Sequence, residues 1–206
     1  MKANNRLSFQ DKLDKQLAIR NKELVQLKLL MQTYMQPHEK AIINRLVIPH
    51  AYSHYEGFIK KSSILYLNYF KTIYEPIIPL PDNINAVYLR KYVKNCFHEK
   101  SINKYIELIN IIKNKPLEID FDSDLIIDTH SNLESKYLKE IILICGINYD
   151  SYWEKKSSFI DNVLLRNRNM ISHGELNPID DKTACDCLEN VMEILIMYKQ
   201  KLEEKI

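Results

Sequence analysis

The sequence predicts an all-α helical bundle, and three observations carry that prediction. Only three of 206 residues are glycine, too few for the turns of a barrel or sandwich. Leu, Lys and Glu recur throughout, and their straight side chains lose little freedom in a helix. Long stretches also place apolar residues at intervals of three and four, the helical period. We expect one domain over residues 1–206, made of an N-terminal helix at 8–36 and a core at 37–206.

The first helix is read from Leu13, Leu17, Arg20, Leu24, Leu27, Met31 and Tyr34, whose spacings alternate four and three. This is a heptad seam carrying one charge. It fits a helix packed on its own domain or, as a second reading, a coiled coil between two copies. Ser8 stands where an N-cap would. Pro37 suits the first turn of a second helix, which Pro49 should kink or break. Beyond Pro49 a wide apolar stripe of Tyr52, Tyr55, Phe58, Ile59, Leu65, Tyr66 and Tyr69 predicts a central helix.

The prolines of "YEPIIPLPDN" end that helix. Residues 83–113 then read as one or two helices. "KPLEIDFDSDLIIDTHS" is the one weakly strand-like stretch, so a short irregular or hairpin insertion is expected near residues 114–130. "NLESKYLKEIILIC" and "SSFIDNVLLRNRNMISH" predict two more helices, each followed by a glycine, Gly146 and Gly174, in the usual role after a helix end. A final helix covers "DDKTACDCLENVMEILIMYKQKLEEK", with acids first and lysines last, as the helix dipole favours.

Composition narrows the function. Apolar residues are 46% and charged residues 27%, as in ordinary globular proteins. A net charge of +2 does not imply a broad duplex-binding face, though it permits a local basic pocket. The scattered Cys96, Cys145, Cys185 and Cys187 form neither a disulfide framework nor paired zinc half-sites, so reduced thiols and a cytoplasmic chain are expected. The start lacks the apolar stretch of a signal peptide, and no run nears the ~20 residues of a membrane span. No glycine-rich phosphate loop exists, and no cofactor is expected. His38, His98 and His130 lack ligand spacing. His50 and His54 stand four apart, which zinc can use, but Glu56 does not complete an H-E-x-x-H pattern, and no metal is expected.

There remains "RNRNMISHGE", residues 166–175. On a straight helix Arg168 and His173, five apart, lie about 140° from one another, whereas Arg166 and His173, seven apart, return to within about 20°. A helix that loosens ahead of Gly174 changes both angles, so geometry leaves both arginines open. An Arg supplies a planar cation for phosphate oxygens, and a His gives or takes a proton near neutral pH. Together they suit metal-free cleavage of an RNA phosphodiester. One histidine cannot serve as base and acid in the same step, and a two-fold dimer would supply a second. The simpler alternative is a helix end with cations favoured by its dipole.

"LLRNRNMISHGE" resembles the signature of the HEPN superfamily: an Arg, a polar residue that is commonly Asn, and a His after four to six intervening residues. Arg168 to His173 has four, and Gly174-Glu175 continue the frequent "HGE" ending. "IPHAYSHYEGFIKKSSILYLNYF" is similar to the "YAHWEGF…YL" helix of the MAE-like, RiboL-PSP-related branch, and "THSNLESKYLKEIILICGI" resembles the segment that precedes the signature there. The ordered likeness runs from about residue 40 to 204. It implies a HEPN-like helical bundle and a metal-independent endoribonuclease, acting as a homodimer on an RNA substrate. Such proteins serve as toxins or in anti-phage defence, with an antitoxin or defence-system partner.

The resemblance makes Arg168 and His173 catalytic and Asn169 the polar residue that orients the site or contacts phosphate. Arg166, one of a duplicated Arg-Asn pair, also fits the permitted spacing, and becomes a phosphate contact. Glu56, at a characteristic position of this branch, is a candidate to hold the Arg168 guanidinium. Glu175 ends the motif. Tyr52 and Tyr55 can stack on bases, although at helical spacing aromatic residues are more often core. Many HEPN domains have lost activity, so the alternative is an inactive helical module that binds RNA, nucleotide or a protein partner.

Overall fold

A computed structural model of the chain describes residues 2–33, 36–75, 79–99, 101–113 and 119–206. The chain is all-α, with no strand among the described residues. The elements are α1 (Lys2–Gln32), α2 (Pro37–Ile73), α3 (Asp82–Glu99), α4 (Ile102–Lys113), α5 (Ser123–Ile126), α6 (Ser135–Ile144), α7 (Ser151–Ser158), a π-helical segment (Phe159–Leu165), α8 (Arg166–Ser172) and α9 (Asp181–Glu203). Tyr34, the start of the expected insertion at 114–118, and the side chains of Cys96 and His98 lie outside the described residues.

The long helices α1, α2 and α9 pack on one another, and α2 also meets α5, α8 and the π segment. The heptad seam of α1 is used within the chain. Leu13 and Leu24 are fully buried, Arg20 and Met31 nearly so, and Leu17 and Leu27 pack against the core. The coiled-coil reading of this seam is therefore not realised: its face is covered by α2 and α9. Arg20 reaches the interior by lying against the Phe58 ring, 5.7 Å from its centroid, and by donating to Gln16 Oε1 at 2.8 Å. Gly57 makes room, since a Cβ there would stand 3.2 Å from Arg20 Nη2.

The cap expected at Ser8 is corrected, and of the kink or break expected at Pro49 the break is not realised. Helix α1 starts at Lys2, so Ser8 lies inside it and caps nothing. No breaker precedes Ser8, and Ala, Arg and Leu extend a helix readily. Pro37 does begin α2, with Gln36 and Glu39 forming a reciprocal capping box. But α2 runs unbroken through Pro49. A mid-helix proline costs about 3 kcal/mol. Val47, Ile48, Ala51 and Tyr52, buried on both sides of it, offset that through burial worth ~1.5–3 kcal/mol per large side chain.

Asn44 of α2 donates to Ile179 O at 3.0 Å and Asp181 Oδ1 at 2.8 Å, and Lys40 pairs with Asp181. These fix the start of α9 on α2. Deeper, Ser63 and Tyr198 share a hydrogen bond of 2.6 Å, beside Cys145 and edge-on to Trp153. From Ile119 to Thr129 the insertion is irregular, with the one-turn α5 in place of a hairpin. Ile119, Phe121 and Ile127 are buried, so its apolar residues anchor a loop.

Candidate active site

The helix carrying the Arg-His motif begins as α7, capped by Asp150 on Tyr152 N. It passes through the π segment and continues as α8. A π turn admits one extra residue, rotating everything after it relative to everything before, and such turns concentrate at functional sites. Asn167 Nδ2 donates to Val163 O at 2.8 Å, supplying a side-chain donor at the junction. Straight-helix arithmetic had no access to this change of pitch. Asp161, within the π segment, accepts from the Ser135 amide at 2.8 Å and the Ser135 hydroxyl at 2.5 Å. The carboxylate thus binds the start of α6, where helix amides favour a negative charge.

Helix α8 ends in a Schellman motif. Gly174 N donates to Ile171 O at 3.0 Å and Glu175 N to Met170 O at 2.9 Å, with Gly174 at φ +81°. His173 is the last residue before the glycine, at φ −88°, ψ 7°. It is exposed, and its side chain makes no hydrogen bond or ion pair among the described residues.

Arg168 is half-buried and held from three sides. Its Nη1 donates to Asn132 Oδ1 at 2.7 Å and to Asn169 Oδ1 at 2.8 Å, and its guanidinium carbon lies 4.8 Å from the centroid of the Tyr52 ring. All three partners are neutral. No carboxylate forms an ion pair with Arg168 among the described residues. Hydrogen bonds from a charged donor are the stronger kind, and an aromatic face adds ~0.5–2 kcal/mol according to its desolvation. The guanidinium is oriented without being neutralised. Arg166, by contrast, is exposed and makes no side-chain bond among the described residues.

Asn132 is the residue that sequence reasoning missed. It lies in a loop, 128–134, fixed by four contacts. Thr129 Oγ1 donates to Glu56 Oε1 at 2.9 Å, and Leu133 N to Tyr52 Oη at 2.7 Å. Tyr55 Oη donates to Leu133 O at 3.4 Å, and Ser135 donates to Asp161. His130 takes φ +52° inside the loop, its amide bonded to Asp128 Oδ1 and its ring 3.9 Å from that of Tyr137. A non-glycine residue there is uncommon and needs such support. The available signal was the "SNL" of the segment likened to the family, in which Asn132 is the middle residue.

The remaining candidates fall into place around this loop. Glu56 meets Thr129 and not Arg168, so its links to the guanidinium run through the loop that presents Asn132 and through the neighbouring Tyr52. Tyr52 is 2% exposed and Tyr55 is 0% exposed. Both rings belong to the core, as their helical spacing favours, and neither offers a face to a base; both hold the loop, and Tyr52 underlies Arg168. Burial above all raises the pKa of the Tyr52 hydroxyl, and the Glu56 carboxylate adds to it, against the lowering effect of the Leu133 N–H and the Arg168 charge. Glu175 is exposed and contributes its amide to the helix end.

No helix among the described residues is long and apolar enough to cross a membrane. A model of the RiboL-PSP-HEPN family matches residues 15–205. No curated protein and no solved structure matches the chain.

Proposed function

Given that the chain belongs to the RiboL-PSP-HEPN family, we propose that it is a metal-independent endoribonuclease whose catalytic groups are Arg168 and His173. The observation that carries this reading is the half-buried Arg168 guanidinium, oriented by Asn132, Asn169 and Tyr52 and without an acidic partner among the described residues. A fixed, uncompensated cation calls for an anion, and its planar fork suits two phosphate oxygens.

In the reaction the ribose 2′-oxygen attacks the adjacent phosphorus, and the bond from phosphorus to the 5′-oxygen breaks. The products are a 2′,3′-cyclic phosphate and a 5′-hydroxyl. Arg168 stabilises the charge that grows on the non-bridging oxygens. The exposed His173 imidazole moves a proton, from the 2′-hydroxyl or to the departing 5′-oxygen. The other proton transfer falls to His173 of a second copy across a two-fold axis, so the active unit is a homodimer. Arg166, exposed two residues before Arg168, meets a flanking phosphate. A cytoplasmic toxin or anti-phage role, restrained by an antitoxin or defence partner, follows from an activity that destroys cellular RNA.

The test is incubation of the purified chain with RNA in EDTA. Wild type should release fragments bearing a 5′-hydroxyl, and His173→Ala should lose about 10²–10⁴ in rate. Equal cleavage by both, or none by wild type, would refute the assignment and leave a helical binding module. Expression in cells should arrest growth, and His173→Ala should relieve the arrest.

A further inference from the structure

Glu23, His50 and His54 meet on the side of α2 that faces α1. The two imidazoles lie one helical turn apart, with ring centroids 4.7 Å from each other. Their Nε2 atoms converge on one carboxylate oxygen, Glu23 Oε2, at 3.6 Å from His50 and 3.1 Å from His54. All three potential ligand atoms lie within 4.8 Å of one another. His54 is 9% exposed, and its buried Nε2 has no aligned hydrogen-bond partner among the described residues. The 3.1 Å approach is therefore close but out of line for a hydrogen bond.

We propose that Glu23, His50 and His54 form a zinc-binding site that ties α1 to α2. Two histidines and a glutamate are a common zinc ligand set, completed by water at a fourth position. With metal–ligand bonds of about 2.0–2.1 Å, neighbouring ligand atoms of a tetrahedral site stand ~3.3 Å apart. The two observed separations from Oε2 bracket that edge. The edge between the imidazoles is at most 4.8 Å, and any excess over the tetrahedral edge can be taken up by rotation of the exposed His50. An isolated His–Glu pair would need one aligned imidazole; it gives no reason for a second to converge on the same oxygen. Burial first, then the neighbouring His50 and the Arg20 guanidinium, disfavour positive charge at His54, while Glu23 favours it.

The site is distinct from the Arg-His motif. Residues 50 and 54 each lie about 160° round the helix from residue 52, whose ring supports Arg168. The metal would join α1 to α2 while keeping one open position for water, and cleavage of RNA would not pass through it.

The experiment is a titration of the metal-stripped 206-residue chain with Zn²⁺ by calorimetry, repeated with Co²⁺ by visible absorption. One Zn²⁺ per chain should bind, and Co²⁺ should give the intense absorption of a tetrahedral site. Glu23→Gln and His50→Ala, both at exposed positions, should each weaken binding by at least about tenfold and abolish that absorption. Zn²⁺ should also raise amide protection along α1 in wild type alone. Unchanged binding in both variants would assign the metal to other histidines or cysteines, and absence of binding below millimolar Zn²⁺ would equally overturn the proposal. RNA cleavage in EDTA reports on the Arg-His reading separately, because neither variant touches Arg168 or His173.

Discussion

Arg168 lies over the ring of Tyr52, its guanidinium carbon 4.8 Å from the ring centroid, while the hydroxyl of the same tyrosine accepts the Leu133 amide at 2.7 Å. One buried side chain thus sets both the arginine and the loop that presents Asn132 to it.

The two arginines should separate cleanly. Arg168→Ala removes the oriented cation and should reduce the single-turnover cleavage rate by about 10²–10³. Arg166→Ala removes an exposed charge and should cost no more than roughly tenfold, mainly in substrate affinity and more at low salt. The reverse order would assign the chemistry to Arg166.

Asn132 should act through Arg168. Asn132→Ala leaves the guanidinium with Asn169 and the Tyr52 ring, and should lower the cleavage rate by roughly tenfold while circular dichroism stays unchanged. Asn132→Asp keeps an acceptor but neutralises the cation, so it should weaken RNA binding although the side chain is nearly the same shape. Equal affinity for RNA in the aspartate variant would show that the charge of Arg168 is not what binds.

Tyr52→Phe keeps the ring and removes one acceptor. Leu133 is fully buried, and an amide left unsatisfied there costs about 1–3 kcal/mol. Urea denaturation should show that loss. Because the loop loosens, cleavage should fall as well, with the ring contact to Arg168 still in place.

The two helix-ending glycines should differ. Gly174 and Gly146 both take positive φ, +81° and +67°, where a side chain costs roughly 1–2 kcal/mol. A Cβ at Gly174 meets open space, whereas one at Gly146 would stand 2.9 Å from Asn83 Oδ1. Asn83 also donates to Ile144 O at 2.8 Å, and displacing it adds about 1 kcal/mol. Denaturation midpoints should therefore fall further for Gly146→Ala than for Gly174→Ala.

The sequence alone determined what is local. Apolar spacing of three and four located the helices, because a helix repeats every 3.6 residues whatever it packs against. Glycines after "IILIC" and "NMISH" marked helix ends, because a left-handed residue there favours glycine. The Arg-His motif was legible as a pattern of residues, although straight-helix arithmetic could not choose between its arginines. Tertiary structure decided what depends on distant neighbours. Burial carried α2 through Pro49, and the π segment changed the pitch ahead of the motif. Asn132 reached Arg168 from 36 residues away, and Glu56 was drawn to Thr129. Glu23 met His50 and His54 across two helices. No period in the chain encodes such meetings, because they follow from how whole helices pack.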